Sequence, residues 1–318
     1  MKLVAVIPAL NEEKTVAGVI KNIPAPIAGI TETAVIVIDD GSNDNTAKLA
    51  EQAGATVVRH SHNQGVGAAF HTGIEAALKA GADIIVNMDA DGQFNPKDLP
   101  TLIQPILSGK ADFVTATRFA KEKWFPAMPP IKVWGNRQMV RVINAITGKN
   151  FTDVSCGFRA YSREAALRLT LFGRFTYTHE TFIDLAFKNI AMTEVPLKIR
   201  GEREFGESRV ASNLWRFGTK AASIIFRAAR DYKPFYFFGI PGIAVFTLGV
   251  ASSLFLVVHY LSTGRTAPFR SLVIVSGTLL VIGFLILVMS MLADMLHRNR
   301  VLIEQQLYLT RKNTYGKK

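Results

Sequence analysis

Two apolar stretches near the C-terminal end constrain this chain more than any other feature. Phe235–Leu261 and Ser271–Ala293 contain no Lys, Arg, Asp or Glu. As helices, each is long enough to cross the roughly 30 Å hydrocarbon core of a bilayer. Only Ser262–Arg270, with Gly264 and Pro268, separates them, so the two spans form a hairpin whose outer ends lie on one side. The turn carries Arg265 and Arg270. Arg227, Arg230 and Lys233 precede the first span, and Arg298, Arg300, Arg311 and Lys312 follow the second. This asymmetry places both termini in the cytoplasm. Just upstream, Val210–Lys233 is amphipathic at helical period. Leu214, Phe217, Ala221, Ile224, Ile225 and Ala228 share one face, and Arg216, Lys220, Arg227 and Arg230 the other. Such a helix lies in a membrane interface or packs, basic face outward, on a neighbouring domain.

The mean hydropathy of +0.20 is high for a soluble enzyme, and the apolar excess gathers after Lys233, so a soluble part precedes a membrane part. A net charge of +12 suits either nucleic acid or anionic lipid headgroups; the spans favour lipid, and no nucleic-acid partner is expected. The single cysteine, Cys156, excludes an intrachain disulfide and any CxxC metal site and reads as a small buried side chain. The opening MKLVAVIPAL reads as a first strand rather than a signal peptide, because the apolar run is short and stops at Asn11-Glu12-Glu13.

Ahead of the spans, β-branched runs alternate with helical patterns. Strands are expected at Leu3–Ile7, Ala34–Ile38, Thr56–Arg59, Ile84–Met88 and Phe113–Ala116, and helices near Glu13–Asn22, Asn45–Ala53, Gly67–Ala80 and Lys97–Ser108. This alternation predicts a mostly parallel sheet with helices on both faces. Ligands then bind beyond the carboxyl ends of the strands, at Pro8–Glu12, Asp39–Asp40 and Asp89–Asp91. Carboxylates gathered there repel one another and call for a cation. Asp89-Ala90-Asp91-Gly92 follows an apolar strand, and alternation in a continuing strand would aim both carboxylates to one side. Hard oxygen ligands of this kind suit Mg²⁺ or Mn²⁺ shared with substrate phosphates. Gly65-Val66-Gly67 lacks the third glycine of a dinucleotide fingerprint, since position 70 is Phe, and points instead to tight helix–sheet packing.

Taken in order, Ile7-Pro8-Ala9-Leu10-Asn11-Glu12-Glu13, Ile38-Asp39-Asp40-Gly41-Ser42, Asn63-Gln64-Gly65-Val66-Gly67 and Asp89-Ala90-Asp91-Gly92-Gln93 resemble the motifs of family 2 glycosyltransferases. Asp153-Val154-Ser155-Cys156-Gly157-Phe158-Arg159, and Glu194-Val195-Pro196 through Arg203, Gly206 and Ser208, resemble its polyisoprenyl-phosphate branch, which includes dolichyl-phosphate mannosyltransferases and bactoprenol glucosyltransferases. The resemblance covers about residues 2–210. It implies a GT-A fold with Pro8, Leu10, Asn11, Glu12, Asp39 and Asp40 around the nucleotide. Asp89 and Ala90 line the nucleotide, and Asp91 and Gln93, with Asp89, hold the metal. Arg118 and Arg203 lie near the phosphates, and Lys132, Asn136 and Arg137, with Arg118, meet the acceptor phosphate. Lys132 stands where Arg is usual and Asn136 where Ser is usual. Asp89, Asp91, Asp153 and Arg203 are the expected catalytic residues, with Asp153 and Glu180 as candidates for orienting acceptor or sugar.

The reaction implied is transfer of a hexose from a nucleotide sugar to a polyisoprenyl phosphate, with UDP-glucose and undecaprenyl phosphate favoured and GDP-mannose the alternative. A processive polysaccharide synthase is disfavoured because no Q-x-x-R-W signature is present. A catalytically silent sugar-nucleotide sensor or scaffold is the reading from another class. The expected organisation is a catalytic domain over 1–209, an interfacial helix over 210–233, a hairpin over 234–296 and a basic cytoplasmic tail over 297–318. The protein is expected in a bacterial-type cytoplasmic membrane as a homo-oligomer, a tetramer being the first expectation.

Overall fold

The computed structural model describes residues 1–120, 125–126, 128–171, 177–200, 223, 226, 230–232 and 234–316. It divides into two compact units, Met1–Ala221 with Leu307–Lys318, and Ala222–Gln306. The helix expected over Val210–Lys233 lies almost entirely outside the described residues.

The first unit is built on seven strands: β1 (Lys2–Ala9), β2 (Glu32–Asp39), β3 (Thr56–Arg59), β4 (Ile84–Asn87), β5 (Phe113–Thr117), β6 (Arg159–Ser162) and β7 (Met192–Pro196). They lie in the order β3-β2-β1-β4-β6-β5-β7. Every pairing is parallel except those of β6, which runs antiparallel between β4 and β5. All five expected strands are present. The two not expected are β6, whose Arg-Ala-Tyr-Ser carries no apolar run, and β7, which holds Glu194 and Pro196.

Among the described residues seven α-helices accompany the sheet: α1 (Val16–Lys21), α2 (Thr46–Gln52), α3 (Val66–Lys79), α4 (Leu99–Leu107), α5 (Pro130–Thr147), α6 (Arg163–Arg168) and α7 (Thr178–Phe187). Period-two alternation divides β1 between two cores, with Leu3 and Ile7 on one side and Val4 and Val6 on the other. The first core takes in Leu102 and Ile103 of α4; the second takes in Phe70 and Ile74 of α3 and Phe182 of α7. Burial on both faces accounts for the unbroken apolar character of β1 and β4. Gly73 of α3 makes a tight helix–sheet contact, for an added Cβ there would lie 2.2 Å from Val6 Cγ1.

The second unit holds a π-helical turn (Phe235–Gly239) leading into α8 (Ile240–Thr263), and most of α9 (Arg270–Tyr315). Both are long and apolar enough to cross a membrane, and only 11% of each apolar window is buried. Core helices of a soluble domain would be mostly covered, whereas these leave Leu254, Leu261 and Ile274 bare for lipid. The buried residues are Gly242, Gly249 and Leu256 on α8 and Ser276, Gly283 and Ser290 on α9. Each set repeats every seven residues, forming one seam of mostly small side chains that lets two backbones approach. The last turns of α9 group with the first unit, where the Tyr308 hydroxyl donates to Glu164 Oε2 (3.0 Å) and Arg311 Nη1 to the Leu169 carbonyl (2.7 Å). The expected basic tail is thus helical as far as Tyr315.

A Cβ at Gly283 would stand 2.5 Å from the Phe246 backbone nitrogen. Gly283→Leu should therefore force α8 and α9 apart and cost about 1–3 kcal/mol, read as a lower unfolding temperature of the detergent-solubilised protein; an unchanged melting curve would refute the seam.

Candidate active site

From β1 the chain winds outward to β2 and β3, then returns through α3 to β4 on the other flank of β1. The carboxyl ends of β1, β2 and β4 therefore bound the crevice of a topological switch point. Backbone bonds stitch its floor. Asn11 N–H donates to Ser42 Oγ (2.9 Å), Asn43 N–H to Asn11 Oδ1 (2.9 Å) and Glu12 N–H to Thr46 Oγ1 (2.8 Å). The Asn11 amide is thus engaged in shaping the loop, while Pro8 and Leu10 are half-buried beside it.

Asp39 and Asp40 are both buried but differ in use. Asp39 Oδ1 accepts from Ser42 N–H (2.9 Å). Its Oδ2 lies 3.0 Å from Arg59 Nε, near enough for an ion pair, yet receives no directed hydrogen bond among the described residues. A buried acceptor in this state suits an N–H of a base or a hydroxyl of a ribose. Asp40, also expected beside the nucleotide, has both oxygens engaged within the protein. Oδ1 meets His60 Nδ1 (2.7 Å) and Gln64 N–H (2.9 Å), and Oδ2 accepts from Gly65 N–H (2.9 Å). It folds the loop into α3 rather than offering a free carboxylate.

Strand β4 ends at Asn87, so Asp89 and Asp91 stand in a turn rather than on a continuing strand. Asp91 is buried and accepts from Gln93 N–H through Oδ1 (3.0 Å), which fixes its carboxylate. Asp89 lies against Gly157, where a Cβ would meet its Oδ2 at 3.1 Å and the Tyr177 hydroxyl at 3.4 Å. A side chain there would crowd both groups. Ala90 between the carboxylates is buried. Among the described residues no three His, Cys, Asp or Glu side chains converge as a metal cage. Two carboxylates and an amide oxygen fit a hard ion that keeps waters and borrows phosphate oxygens.

The far side of the crevice is organised by Asp153, which has no solvent exposure. Arg118, just past β5, grips it in a fork, Nε to Oδ2 (2.6 Å) and Nη2 to Oδ1 (2.8 Å). Burial alone would raise the Asp153 pKa, but the Arg118 charge and hydrogen bonds from Arg118 and Ser155 hold it below the ordinary value. Burial likewise opposes the charge on Arg118, and Asp153 overcomes it, raising the arginine. Glu194 of β7 accepts from the Thr152 and Asp153 N–H groups (2.9 and 3.0 Å) and anchors this loop from behind. Ser155 Oγ accepts from Arg118 Nη2 (2.7 Å) and approaches Asn136 Oδ1 of α5 at 2.8 Å. The structure thus joins Arg118, Asp153 and Asn136, whereas Lys132 and Arg137 are exposed on the same helix. Cys156 is buried, and burial pushes its thiol up to about 12, so it is inert. Glu180 lies in the first turn of α7, and Arg203 lies outside the described residues.

Three contributors escaped the sequence reading. Ser155 and Glu194 lay inside recognised motifs without an assigned role. Tyr177, whose hydroxyl accepts from Asn87 Nδ2 (2.8 Å), carried no sequence signal at all.

Residues 4–170, more than half the chain, match the family described as Glycosyl transferase family 2. The chain belongs to glycosyltransferase family 2. A dolichyl-phosphate N-acetylglucosaminyltransferase of Methanococcus voltae that uses UDP-N-acetylglucosamine is 32% identical, over 61% of this chain and 83% of its own. An undecaprenyl-phosphate mannosyltransferase of Micrococcus luteus is 27% identical, over 67% and 89%. The glucosyl-3-phosphoglycerate synthase of Mycobacterium tuberculosis, solved with Mn²⁺, UDP-glucose and phosphoglyceric acid, superposes with a TM-score of 0.52 at 26% identity, over 72% and 78%. The family 2 sheet confirms the GT-A expectation, and the protein is a glycosyltransferase.

His179 gives this site a pH signature. It is buried, and neither ring nitrogen has a partner among the described residues. Burial, then the Arg159 charge, lowers its pKa to about 4. An unfolded histidine protonates near 6.5, so the stability its neutral form confers is whole above that pH and is lost as pH falls toward 4. Unfolding free energy should drop by about 1.4 kcal/mol per pH unit across this window from His179 alone; denaturant titrations should find a flatter slope in His179→Asn.

Proposed function

We propose that this glycosyltransferase moves a hexose from a nucleotide sugar to the phosphate of a polyisoprenyl lipid, with inversion at the anomeric carbon, at the cytoplasmic face of the membrane. One observation carries the reading: a family 2 catalytic sheet and two helices long and apolar enough to cross a membrane occur in a single chain. A polyisoprenyl chain cannot leave the bilayer cheaply, since each exposed CH₂ costs about 0.8 kcal/mol. The enzyme must come to the lipid, and a hairpin anchor holds it there. The relatives named for dolichyl and undecaprenyl phosphate support the same acceptor class. The functional division we propose is a catalytic part over 1–209, a linker over 210–233, a hairpin over 234–296 and a cytoplasmic tail over 297–318.

The open Asp39 Oδ2 would receive the base or ribose, with Pro8, Leu10 and Glu12 beside it. Asp91, Gln93 and Asp89 would hold Mg²⁺ or Mn²⁺, which when bound offsets the negative charge gathering on the departing nucleoside diphosphate. Arg203 would grip the same diphosphate. Arg118, Asn136, Lys132 and Arg137 would seat the acceptor phosphate on the opposite side of the sugar. A phosphate oxygen forms its bond to the anomeric carbon as the bond from that carbon to the diphosphate oxygen breaks. A phosphate monoester, with a second pKa of about 6, is mostly dianionic at neutral pH, so no side chain need remove a proton. That agrees with Asp153, which is paired to Arg118 and serves to hold it.

UDP-glucose is the favoured donor, supported by the UDP-dependent relative and the UDP-glucose complex. GDP-mannose is the alternative, favoured by the mannosyltransferase relative. Purified protein given radiolabelled UDP- and GDP-sugars with undecaprenyl or dolichyl phosphate should yield an organic-extractable labelled lipid from one donor. Asp91→Ala or a chelator should cut the rate by about 10²–10³. Undiminished transfer after either treatment would overturn the metal-assisted reading, and no labelled lipid from any donor would overturn the acceptor.

A further inference from the structure

We propose that Ser155 is a positioning residue that gives the acceptor site its polarity, turning the Asn136 amide so that its N–H₂ faces the phosphate monoester and its oxygen faces inward. This inference rests on the acceptor reading above and names a residue which that reading does not use.

The argument begins with one hydroxyl and three neighbours. Ser155 Oγ lies 2.7 Å from Arg118 Nη2, 2.8 Å from Asn136 Oδ1 and 3.2 Å from Asp153 Oδ1. A guanidinium can only donate, so the contact with Arg118 takes a lone pair of Ser155. The single Ser155 proton must then go to an oxygen, and Asn136 Oδ1 is the nearer of the two. Asp153 Oδ1 is already supplied by Arg118 Nη2 (2.8 Å) and Ser155 N–H (3.1 Å). With the proton on that bond, Ser155 holds the oxygen end of the Asn136 amide inward.

The other end is the informative one. Asn136 is 6% exposed, and its Nδ2 is buried without a hydrogen-bond partner among the described residues. Buried amide donors are almost always satisfied, so an unmet one beside a binding crevice marks a place for an acceptor atom. Arg118 contributes beside it, because its Nη1 takes part in none of the bonds to Asp153 or Ser155. An unmet N–H₂ and an unused guanidinium N–H, both tied to one serine oxygen, make a donor-only surface suited to phosphate oxygens. Without the Ser155 hydroxyl the amide can turn over, presenting its oxygen to the phosphate, and Arg118 loses the bond that squares its fork.

The experiment measures initial rates of lipid glycosylation in detergent micelles, varying undecaprenyl phosphate at saturating nucleotide sugar and then the reverse. Ser155→Ala should raise the KM for undecaprenyl phosphate about tenfold, in keeping with loss of a hydrogen bond to a charged group. The donor KM should stay near wild type, and Ser155→Thr, which keeps the hydroxyl, should restore the acceptor KM. An unchanged acceptor KM in Ser155→Ala, or equal increases for donor and acceptor, would overturn the proposal. Should Ser155→Ala not fold, Asn136→Asp is read instead. It keeps an acceptor for Ser155 and replaces the outward donor with a carboxylate oxygen, so the acceptor KM should rise at least tenfold with the donor KM unmoved. An acceptor KM that stays put there sinks the idea equally. Wild-type transfer together with an unaffected variant refutes Ser155 alone, whereas wild-type protein that glycosylates no lipid phosphate refutes the acceptor reading.

Discussion

A carboxylate sealed from water survives in its charged form only if something else takes over the role of the water. Asp153 is such a group, and Arg118 provides the replacement with two parallel hydrogen bonds. The pair reaches from the end of β5 to the loop ahead of β6, so it ties together strands that run antiparallel to each other. Glu194 on β7 holds the same loop from behind through its backbone, and Ser155 extends the network to α5. Four elements are thus referred to a single buried charge. Breaking a pair of this kind leaves an uncompensated ion and costs about 3–5 kcal/mol.

A second buried cation works on the same loop from inside. Arg159 is fully buried in β6, and its guanidinium donates to the carbonyls of Cys156, Val154 and Thr178. It also lies over the Phe182 ring at 4.7 Å. Because Thr178 begins α7, this arginine joins the Asp153–Phe158 loop to the helix that carries His179 and Glu180. Neighbouring Tyr177 reaches Asn87 at the end of β4. The two sides of the crevice, one made by parallel strand ends and the other by the antiparallel insertion, therefore share a buried polar skeleton.

The hairpin obeys different physics. In lipid the apolar surface of α8 and α9 gains nothing from burial against itself, and the helices meet instead through close backbone approach along Gly242, Gly249, Ser276, Gly283 and Ser290. One chain thus combines a domain held by apolar burial and buried charge with an anchor held by small residues.

Much of this is legible in the amino-acid sequence. Strands such as β1 and β4 announce themselves because they are apolar on both faces, and β6 does not, because a strand bearing an arginine looks exposed until three carbonyls are found around it. The carboxylates at the strand ends were equally visible as residues, but Asp39 and Asp40 are adjacent and identical in type. Only their partners separate an open acceptor from a loop brace, and those partners, Arg59, His60, Gln64 and Gly65, are brought in by folding. The amino-acid sequence by itself determined the family, five of the seven strands, the two apolar spans and which residue types stand at the crevice, since these depend on local periodicity and short motifs. Tertiary structure decided which polar groups are consumed inside the protein and which stay available, because satisfying a buried hydrogen bond depends on atoms that lie far apart along the chain.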